Sequence, residues 1–211
     1  MKSQSQIRAS ALSLLGFLCL SLAALPASAQ TLYDNGPLNG NDPYPSWQIS
    51  GGYVVSDSFT VSSDSTVTGF TFGEYWVTGD PTLTVDWSIS STENGPGEVG
   101  AANVANVSRS NIKNNETFGT GTVTGIDVPL SAGTYWLNLT NATTAGGDPV
   151  FWDENSGPSL ASNSAVGTIP SESFTINGNG SGGNTPEPNS LLLFGSGVLG
   201  LGGLLRRRFL G

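Results

Sequence analysis

The sequence predicts an all-β protein, a single antiparallel β-sandwich with a jelly-roll-like strand order, flanked by one segment on each side. The first observation is the alternation of apolar and polar residues in residues 83–89 and again in residues 134–139. The second is that no stretch of the body holds a helical period for three turns. The third is the clusters of Gly, Pro, Asn, Asp and Ser between the patterned runs. A closed barrel is the alternative architecture.

Two of the eight expected strands have the clearest pattern. In residues 83–89 every odd position is apolar, which places Trp87 and Leu83 in the core. In residues 134–139 the odd positions are expected to face inward, which leaves Trp136 on the opposite face. The weaker strand candidates are residues 53–61, 66–72, 103–108, 120–130, 150–153 and 173–177.

Acidic residues dominate the body of the chain. The formal net charge is −9, and between residues 30 and 185 Arg109 and Lys113 are the only basic residues. This charge excludes a nucleic-acid-binding surface, because neutralising phosphates requires clustered Lys and Arg. The sequence contains no His, so a His general base and a His-ligated metal site are both excluded. Cys19 lies in the first apolar run, so the body must fold without a disulfide.

Residues 1–29 have the organisation of a secretory signal peptide. Two basic residues precede an apolar run, and the small residues Ala27 and Ala29 follow it just before Gln30. We therefore expect signal peptidase to cleave between Ala29 and Gln30 and the body to be exported. An N-terminal membrane anchor is the alternative, although the apolar run is short for a membrane span.

Residues 186–211 form a tail with three parts, and the Gly/Ser/Asn-rich residues 178–185 are expected to link it to a domain at residues 30–177. The parts are, in order, Pro186, Glu187 and Pro188, the apolar residues 189–205, and Arg206, Arg207 and Arg208. As a helix the apolar part is about 24 Å long, which nearly matches the ~30 Å hydrocarbon core of a bilayer. The Arg cluster predicts that the C-terminus stays in the cytoplasm. A permanent anchor is the alternative.

This tail resembles the PEP-CTERM sorting signal of Gram-negative bacteria. The resemblance implies that exosortase, a membrane peptidase-transferase, recognises Pro186, Glu187 and Pro188 and removes the tail near them. It also implies transient insertion in the inner membrane and a final location at the cell surface or outside the cell. Proteins of this class are associated with bacteria that form exopolysaccharide, biofilms or flocs, so extracellular polysaccharide is the implied partner. Such tails are attached to many unrelated domains.

Three tryptophans are candidates for glycan contact, namely Trp76, Trp136 and Trp152. An exposed indole stacks on a sugar ring while neighbouring polar side chains bond the sugar hydroxyls. Trp136 is expected to be partly exposed beside Asn138, and the other two lie near strand ends. The alternative for Trp76, Trp136 and Trp152 is packing at a sheet edge or on a second face.

Two groups of acidic residues are weak candidates for Ca²⁺ binding. Asp34 and Asp42 lie near the start of the exported body, and Asp148 and Asp153 lie around one loop. Carboxylates with Asn and carbonyl oxygens are what Ca²⁺ prefers. Neither group has the spacing of an EF-hand or an RTX repeat. The favoured interpretation is therefore that these Asp and Asn residues form turns. No other cofactor is indicated.

No catalytic residue is predicted. Glycoside hydrolysis needs two carboxylates at a set separation, and no Glu of the body is patterned to give such a pair. The available residues are Glu74, Glu93, Glu98, Glu116, Glu154 and Glu172. The sequence therefore favours an exported surface or matrix protein with a structural or adhesive role. A glycan-binding module is the first alternative and a glycosidase the second.

Overall fold

The computed structural model describes residues 29–39, 46–113 and 117–180. Within these residues it contains β-strands and no helix, so no helix there is long and apolar enough to cross a membrane. The expected signal peptide, the sorting tail, Asp42 and Glu116 lie outside the described residues. In chain order the strands are β1 (Gln30–Asp34), β2 (Ser46–Gln48), β3 (Val54–Val61), β4 (Ser65–Trp76), β5 (Thr82–Ser90), β6 (Gly100–Asn106), β7 (Ser108–Lys113), β8 (Phe118–Leu130), β9 (Gly133–Thr144), β10 (Val150–Asp153), β11 (Ala161–Asn163), β12 (Gly167–Ile169) and β13 (Phe174–Gly180).

The strands form two antiparallel sheets. In the first sheet β4 is central, with β8 and then β7 along one edge. The other edge of β4 pairs first with β13, which carries β1, and then with β10, which carries β2. The second sheet has the order β12-β11-β3-β9-β5-β6. The two packed sheets confirm the predicted sandwich. The pairs β1–β13, β3–β9, β4–β8 and β5–β6 are nested one inside the next.

The core lies between the two inner faces. Strand β4 contributes Phe70 and Phe72, which are at most 1% exposed, and β9 contributes the fully buried Leu137 and Leu139. Because side chains alternate across a strand, these positions recur every second residue, as the sequence pattern predicts. Apolar burial of this kind is the main force that holds the sheets together, since the described residues contain no cysteine.

Leu83 was predicted to lie in the core, and the structure shows that it does not. Val85 and Trp87 are buried as predicted, but Leu83 is 45% exposed and Thr82 is buried in its place. The pairing of β5 with β9 is irregular between Thr82 and Asp86. An irregularity of this kind shifts the alternation by one residue, which turns Leu83 outward while the rest of β5 keeps its predicted face.

Strand β13 continues past residue 178, where the linker was predicted to begin. Residues 178–180 belong to β13 and pair with Ser65–Val67 of β4, beyond a register shift between Asn177 and Gly178. Gly-rich sequence is typical of flexible linkers, but here Gly allows a close approach between strands. An added Cβ at Gly178 would lie 2.1 Å from the carbonyl oxygen of Thr66. The folded domain therefore extends to Gly180.

A crossover segment, residues 154–173, connects the two sheets. It leaves the first sheet after β10, forms the β11–β12 hairpin beside β3 of the second sheet, and returns to β13. At its base the backbone N–H of Asn155 donates to the Ser171 carbonyl, and that of Ser173 donates to the Asp153 carbonyl, both at 2.8 Å. Glu154 and Glu172 therefore stand opposite each other where the segment begins and ends.

Candidate functional site

Four carboxylates meet at the base of the crossover segment and form what we call the acidic cluster, which consists of Asp57, Asp153, Glu154 and Glu172. Three of them have no solvent exposure and Glu154 has 5%. Asp57 belongs to β3 and the other three to the chain that leaves and rejoins the first sheet. The cluster thus lies between the two sheets, where water is excluded and charge is costly.

Asn35 and Asp57 form the polar framework around Glu172. The backbone N–H of Glu172 donates to Asp57 Oδ2 at 2.7 Å, and Asn35 Nδ2 donates to the same oxygen at 3.4 Å. Asn35 Nδ2 also donates to Ser171 Oγ at 2.6 Å and to the Glu172 carbonyl at 2.5 Å. The hydroxyl of Tyr33 donates to Asn35 Oδ1 at 3.0 Å. The start of β13 is therefore tied to β1 and β3 through polar side chains.

The four carboxylates of the cluster differ in their hydrogen bonds. Asp153 Oδ2 accepts from the backbone N–H of Asn39 at 2.9 Å, and Glu154 Oε1 accepts from Trp47 Nε1 at 2.5 Å. Both carboxylate oxygens of Glu172 are buried without a hydrogen-bond partner, as is Oδ1 of Asp57. Buried oxygens of this kind are rare in folded proteins and call for a specific explanation.

Burial dominates the electrostatics of the acidic cluster. It raises the pKa of Asp57 to about 7, against hydrogen bonds from Ser159 and the Glu172 backbone that favour the charged form. Burial, followed by the charges of Asp57, Glu154 and Asp153, raises the pKa of Glu172 well above its usual range. The pKa of Glu154 is also raised by burial, partly offset by the Trp47 hydrogen bond. The cluster therefore resists holding all its negative charges at once.

The structure brings the residues that follow β1 close to those around the end of β10, although the two segments are far apart in the sequence. Asp153 and Asn155 come next to the residues that follow β1, since Asn155 Nδ2 donates to the Asn35 carbonyl at 2.7 Å. A groove of about 430 Å³ lies there, lined by residues 34–37, Asn39 and residues 155–158. Asp34 itself is exposed and accepts from the Gly36 N–H at 2.9 Å, as a turn residue does.

Asp148 lies in a different loop. That loop is closed by Asp80, which accepts from Thr144 Oγ1 at 2.6 Å, from the Gly146 N–H at 2.8 Å and from the Asp148 N–H at 3.3 Å. These hydrogen bonds, that of Thr144 foremost, lower the pKa of Asp80. Asp148 contributes backbone groups to this loop, so its structural setting is that of a turn residue.

Sequence reasoning missed Asp57 and Glu172, the two central members of the cluster. Asp57 had a signal, because it occupies an inward position of β3 between the core residues Val55 and Phe59. A charged residue at an inward strand position points either to a partner or to a functional site. Glu172 lies outside a patterned run, in the bend before β13, and has no comparable signal.

Trp76 and Trp152 are corrections to the predicted glycan contacts. Trp76 is 1% exposed because it shares the inward face of β4 with Phe70 and Phe72. Trp152 has no exposure, meets Phe174 edge-on at 5.7 Å between ring centroids, and donates from Nε1 to the Ser173 carbonyl at 2.8 Å. Neither indole is available to a sugar, and both are core residues.

Trp136 is partly exposed on the outer face of β9, as predicted. Its neighbour Asn138, however, is 2% exposed, and its amide is fully engaged with serines on adjacent strands. Asn138 Oδ1 accepts from Ser56 Oγ at 2.6 Å, and Nδ2 donates to Ser90 Oγ at 2.8 Å. The backbone N–H of Asn94, in the loop after β5, donates to Ser56 Oγ at 3.1 Å. Asn138 therefore stabilises the sheet face and cannot bond a sugar beside Trp136.

Glu74 is a second buried carboxyl, on the inward face of β4 and without solvent exposure. Burial raises its pKa to about 7, while the nearby Thr82 hydroxyl and the Arg109 guanidinium favour the charged form. Neither carboxylate oxygen of Glu74 makes a hydrogen bond of normal geometry. Glu74 and Glu172 are both closed to solvent, so neither presents a carboxylate to a substrate.

In residues 29–39, 46–113 and 117–180, no group of three or more His, Cys, Asp or Glu side chains is placed to hold a metal ion. Ca²⁺ differs from transition metals in accepting carbonyl, hydroxyl and water oxygens beside carboxylates. A Ca²⁺ site built on two carboxylates would therefore need several neutral oxygens to complete its six to eight ligands.

The fold and the site define an all-β sandwich with a buried acidic cluster, and the comparison with protein families adds the tail. Residues 184–208 match the PEP-CTERM protein-sorting motif. The chain therefore carries this sorting signal, as its Pro-Glu-Pro motif, apolar run and Arg cluster predict. Proteins with the motif are exported and processed by exosortase. No curated protein sequence matches the chain significantly.

One solved structure is similar to this chain at low identity. It is described as the structure of a family 35 carbohydrate binding module from an environmental isolate. The identity is 17%, the TM-score is 0.31, and the match covers 69% of this chain and 93% of that chain.

Proposed function

We propose that the protein is an exported component of the cell surface or of an extracellular polysaccharide matrix, with a structural or adhesive role. The observation that carries this proposal is the sorting motif at residues 184–208. A protein delivered by that signal acts outside the cytoplasmic membrane, where the β-sandwich is its functional part. We propose no catalytic activity, because the buried carboxyls of Glu74 and Glu172 are not accessible to substrate.

Two properties of the sandwich support a matrix role. The charged surface is acidic, and Arg109 and Lys113 are the only basic residues in the sequence between residues 30 and 185. Such a surface keeps the protein soluble and attracts divalent cations, which also bind anionic polysaccharides. The core is built from buried aromatic residues on both sheets, and this supports a stable module in the absence of disulfides.

A glycan-binding module is the second candidate, and the partly exposed Trp136 is the observation that favours it. An indole with one free face stacks on a sugar ring without needing a hydrogen-bond partner of its own. With Trp76 and Trp152 buried, Trp136 alone remains of the three predicted contacts.

The sorting part of the proposal is tested in the native host with Glu187→Ala. Loss of the central carboxylate of the motif should block recognition by exosortase, so a longer form should accumulate in the membrane fraction. Glu93→Gln is the matched control, because it changes an exposed glutamate of the domain and leaves the motif intact. Identical processing of Glu187→Ala and the unchanged protein would contradict the proposal.

The matrix part is tested by washing the host's exopolysaccharide fraction and measuring the protein that stays bound. The proposal predicts saturable retention. Trp136→Ala distinguishes the two candidates, because a glycan-binding module should lose most of its retention whereas a structural matrix protein should keep it. Leu83→Ala is the control, since Leu83 is also an exposed apolar side chain. A protein that washes off completely would refute both candidates.

A further inference from the structure

The acidic cluster contains buried carboxylate oxygens with no hydrogen-bond partner among the described residues. Glu172 has no solvent exposure and neither of its carboxylate oxygens has a hydrogen-bond partner. Oδ1 of Asp57 also lacks a partner among the described residues. The Asp57 carboxylate accepts from the Glu172 backbone N–H at 2.7 Å, and its charge acts on the Glu172 carboxyl. Leaving a buried charged oxygen unpaired costs several kcal/mol, so such an arrangement needs compensation.

Protonation of Glu172 removes only part of the charge, and no basic side chain offsets the rest among the described residues. A protonated Glu172 carries an O–H donor, but the carboxylates of Asp57, Glu154 and Asp153 still face it. Among the described residues the basic side chains belong to β7, which is separated from β13 by β8 and β4. The Arg109 guanidinium acts instead on Glu74. The groups that face Glu172 are acidic, namely Asp57 from β3, Asp153 from β10 and Glu154 from the crossover segment.

We propose that the acidic cluster binds one Ca²⁺ ion, coordinated by the carboxylates of Asp57 and Glu172 together with neutral oxygens around them. Ca²⁺ accepts irregular sets of six to eight oxygen ligands, whereas Mg²⁺ demands a near-ideal octahedron. The hydroxyls of Ser159 and Ser171 lie beside the Asp57 carboxylate, and their oxygens are 2.6 Å apart. Asp153 and Glu154 add negative potential without having to coordinate the ion.

An ion at this position would join the two sheets. Asp57 belongs to β3 of the second sheet, and Glu172 lies at the end of the crossover segment, where the chain returns to the first sheet. The ion would also neutralise the charges that oppose closure of the crossover segment on the sandwich. Because extracellular Ca²⁺ modules have dissociation constants of about 10⁻⁴–10⁻³ M, the site would fill after export, where Ca²⁺ is abundant.

The experiment is a thermal melt of the full-length chain, purified in mild detergent, treated with EGTA and then titrated with CaCl₂ at pH 8. At a concentration about 100-fold above the dissociation constant, the melting temperature should rise by about 5–10 °C. Isothermal titration calorimetry should give one Ca²⁺ per chain. NaCl at equal ionic strength should give no comparable rise, and MgCl₂ should give a smaller one.

Substitutions in the acidic cluster test where the Ca²⁺ ion binds. Glu172→Gln and Asp57→Asn should each abolish the Ca²⁺-dependent rise, and Glu93→Gln should retain it because Glu93 is exposed. If one cluster variant does not fold, the other carries the test, and the titration of the unchanged protein stands without either. The absence of a saturable rise in the unchanged protein would overturn the proposal. An equal rise with MgCl₂, or an undiminished rise in a folded cluster variant, would do the same.

Discussion

At the scale of single residues, side-chain direction decides which groups are available outside the sandwich. Trp152 lies between Phe72 and Phe174, with edge-on ring contacts at 6.4 and 5.7 Å, and has no solvent exposure. Trp136 stands on the outer face of β9 and keeps part of its surface in water. The two tryptophans therefore contribute very differently to stability, although both belong to strands of one sandwich.

Trp152→Ala should lower the free energy of unfolding by about 3–5 kcal/mol, because it removes a buried aromatic ring and leaves a cavity. Trp136→Ala should cost less than about 1 kcal/mol, since its ring is only partly buried. Urea denaturation followed by circular dichroism measures both. Equal losses for the two variants would contradict the assigned faces of β9 and β10.

The buried carboxyl of Glu74 predicts a pH dependence that can be measured in EGTA. Its pKa is raised to about 7 by burial, so between about pH 4.5 and pH 7 the folded state holds a proton that the unfolded state has released. The free energy of unfolding should therefore fall as the pH rises through that window, by about 3 kcal/mol for this group. Asp57, with its pKa also raised to about 7, adds to the same trend.

Glu74→Gln separates this contribution from the rest. The amide has nearly the shape of the carboxyl and no charge, so the difference in stability between pH 5 and pH 8 should shrink in the variant. Glu93→Gln, at an exposed site, should leave the difference unchanged. Greater stability of the unchanged protein at pH 8 than at pH 5 in EGTA would contradict the raised pKa values.

At the scale of elements, β13 shows how strand pairing overrides composition. Residues 178–180 have the Gly-rich sequence of a linker, yet they pair with β4. Gly178 allows this because its missing Cβ would lie 2.1 Å from the Thr66 carbonyl oxygen and 2.6 Å from Leu32 Cδ1. At Gly180 the nearest atom to an added Cβ is the flexible amide of Gln30, at 3.3 Å.

Gly178→Ala should therefore destabilise the protein by on the order of 1–3 kcal/mol, because the methyl group collides with backbone that cannot move freely. Gly180→Ala is the matched control and should stay within about 0.5 kcal/mol of the unchanged protein. Chemical denaturation of the two variants provides the comparison. If both variants match the unchanged protein, residues 178–180 are a linker after all.

The elements also show how far the sequence predicts the fold and the site. Strong alternation identified β5 and β9, and β10 was predicted at residues 150–153. The short strands β1, β2, β7, β11 and β12 have three to six residues and no clear alternation of apolar and polar residues. They form by pairing, β1 with β13, β2 with β10, β7 with β8, β11 with β3 and β12 with β11. The acidic cluster joins residues more than 100 positions apart in the chain, so only the packing of the two sheets assembles it.

At the scale of the whole molecule, a β-sandwich is followed by a sorting tail, and a signal peptide is predicted before it. The nested strand pairs bring β1, the first described strand, next to β13, the last one. Strand β13 runs to Gly180, and the motif match begins at residue 184. Processing near Pro186 would therefore leave the sandwich intact.

The central claim is that this sandwich is exported and separated from its tail by exosortase. The most direct test is intact-mass spectrometry of the protein recovered from the extracellular polysaccharide of the native host, with and without a functional exosortase. We expect a chain that begins at Gln30 and ends near Pro186, and a longer membrane-bound chain when exosortase is absent. A polysaccharide-associated chain that still contains residues 189–208, or no change on loss of exosortase, would contradict it.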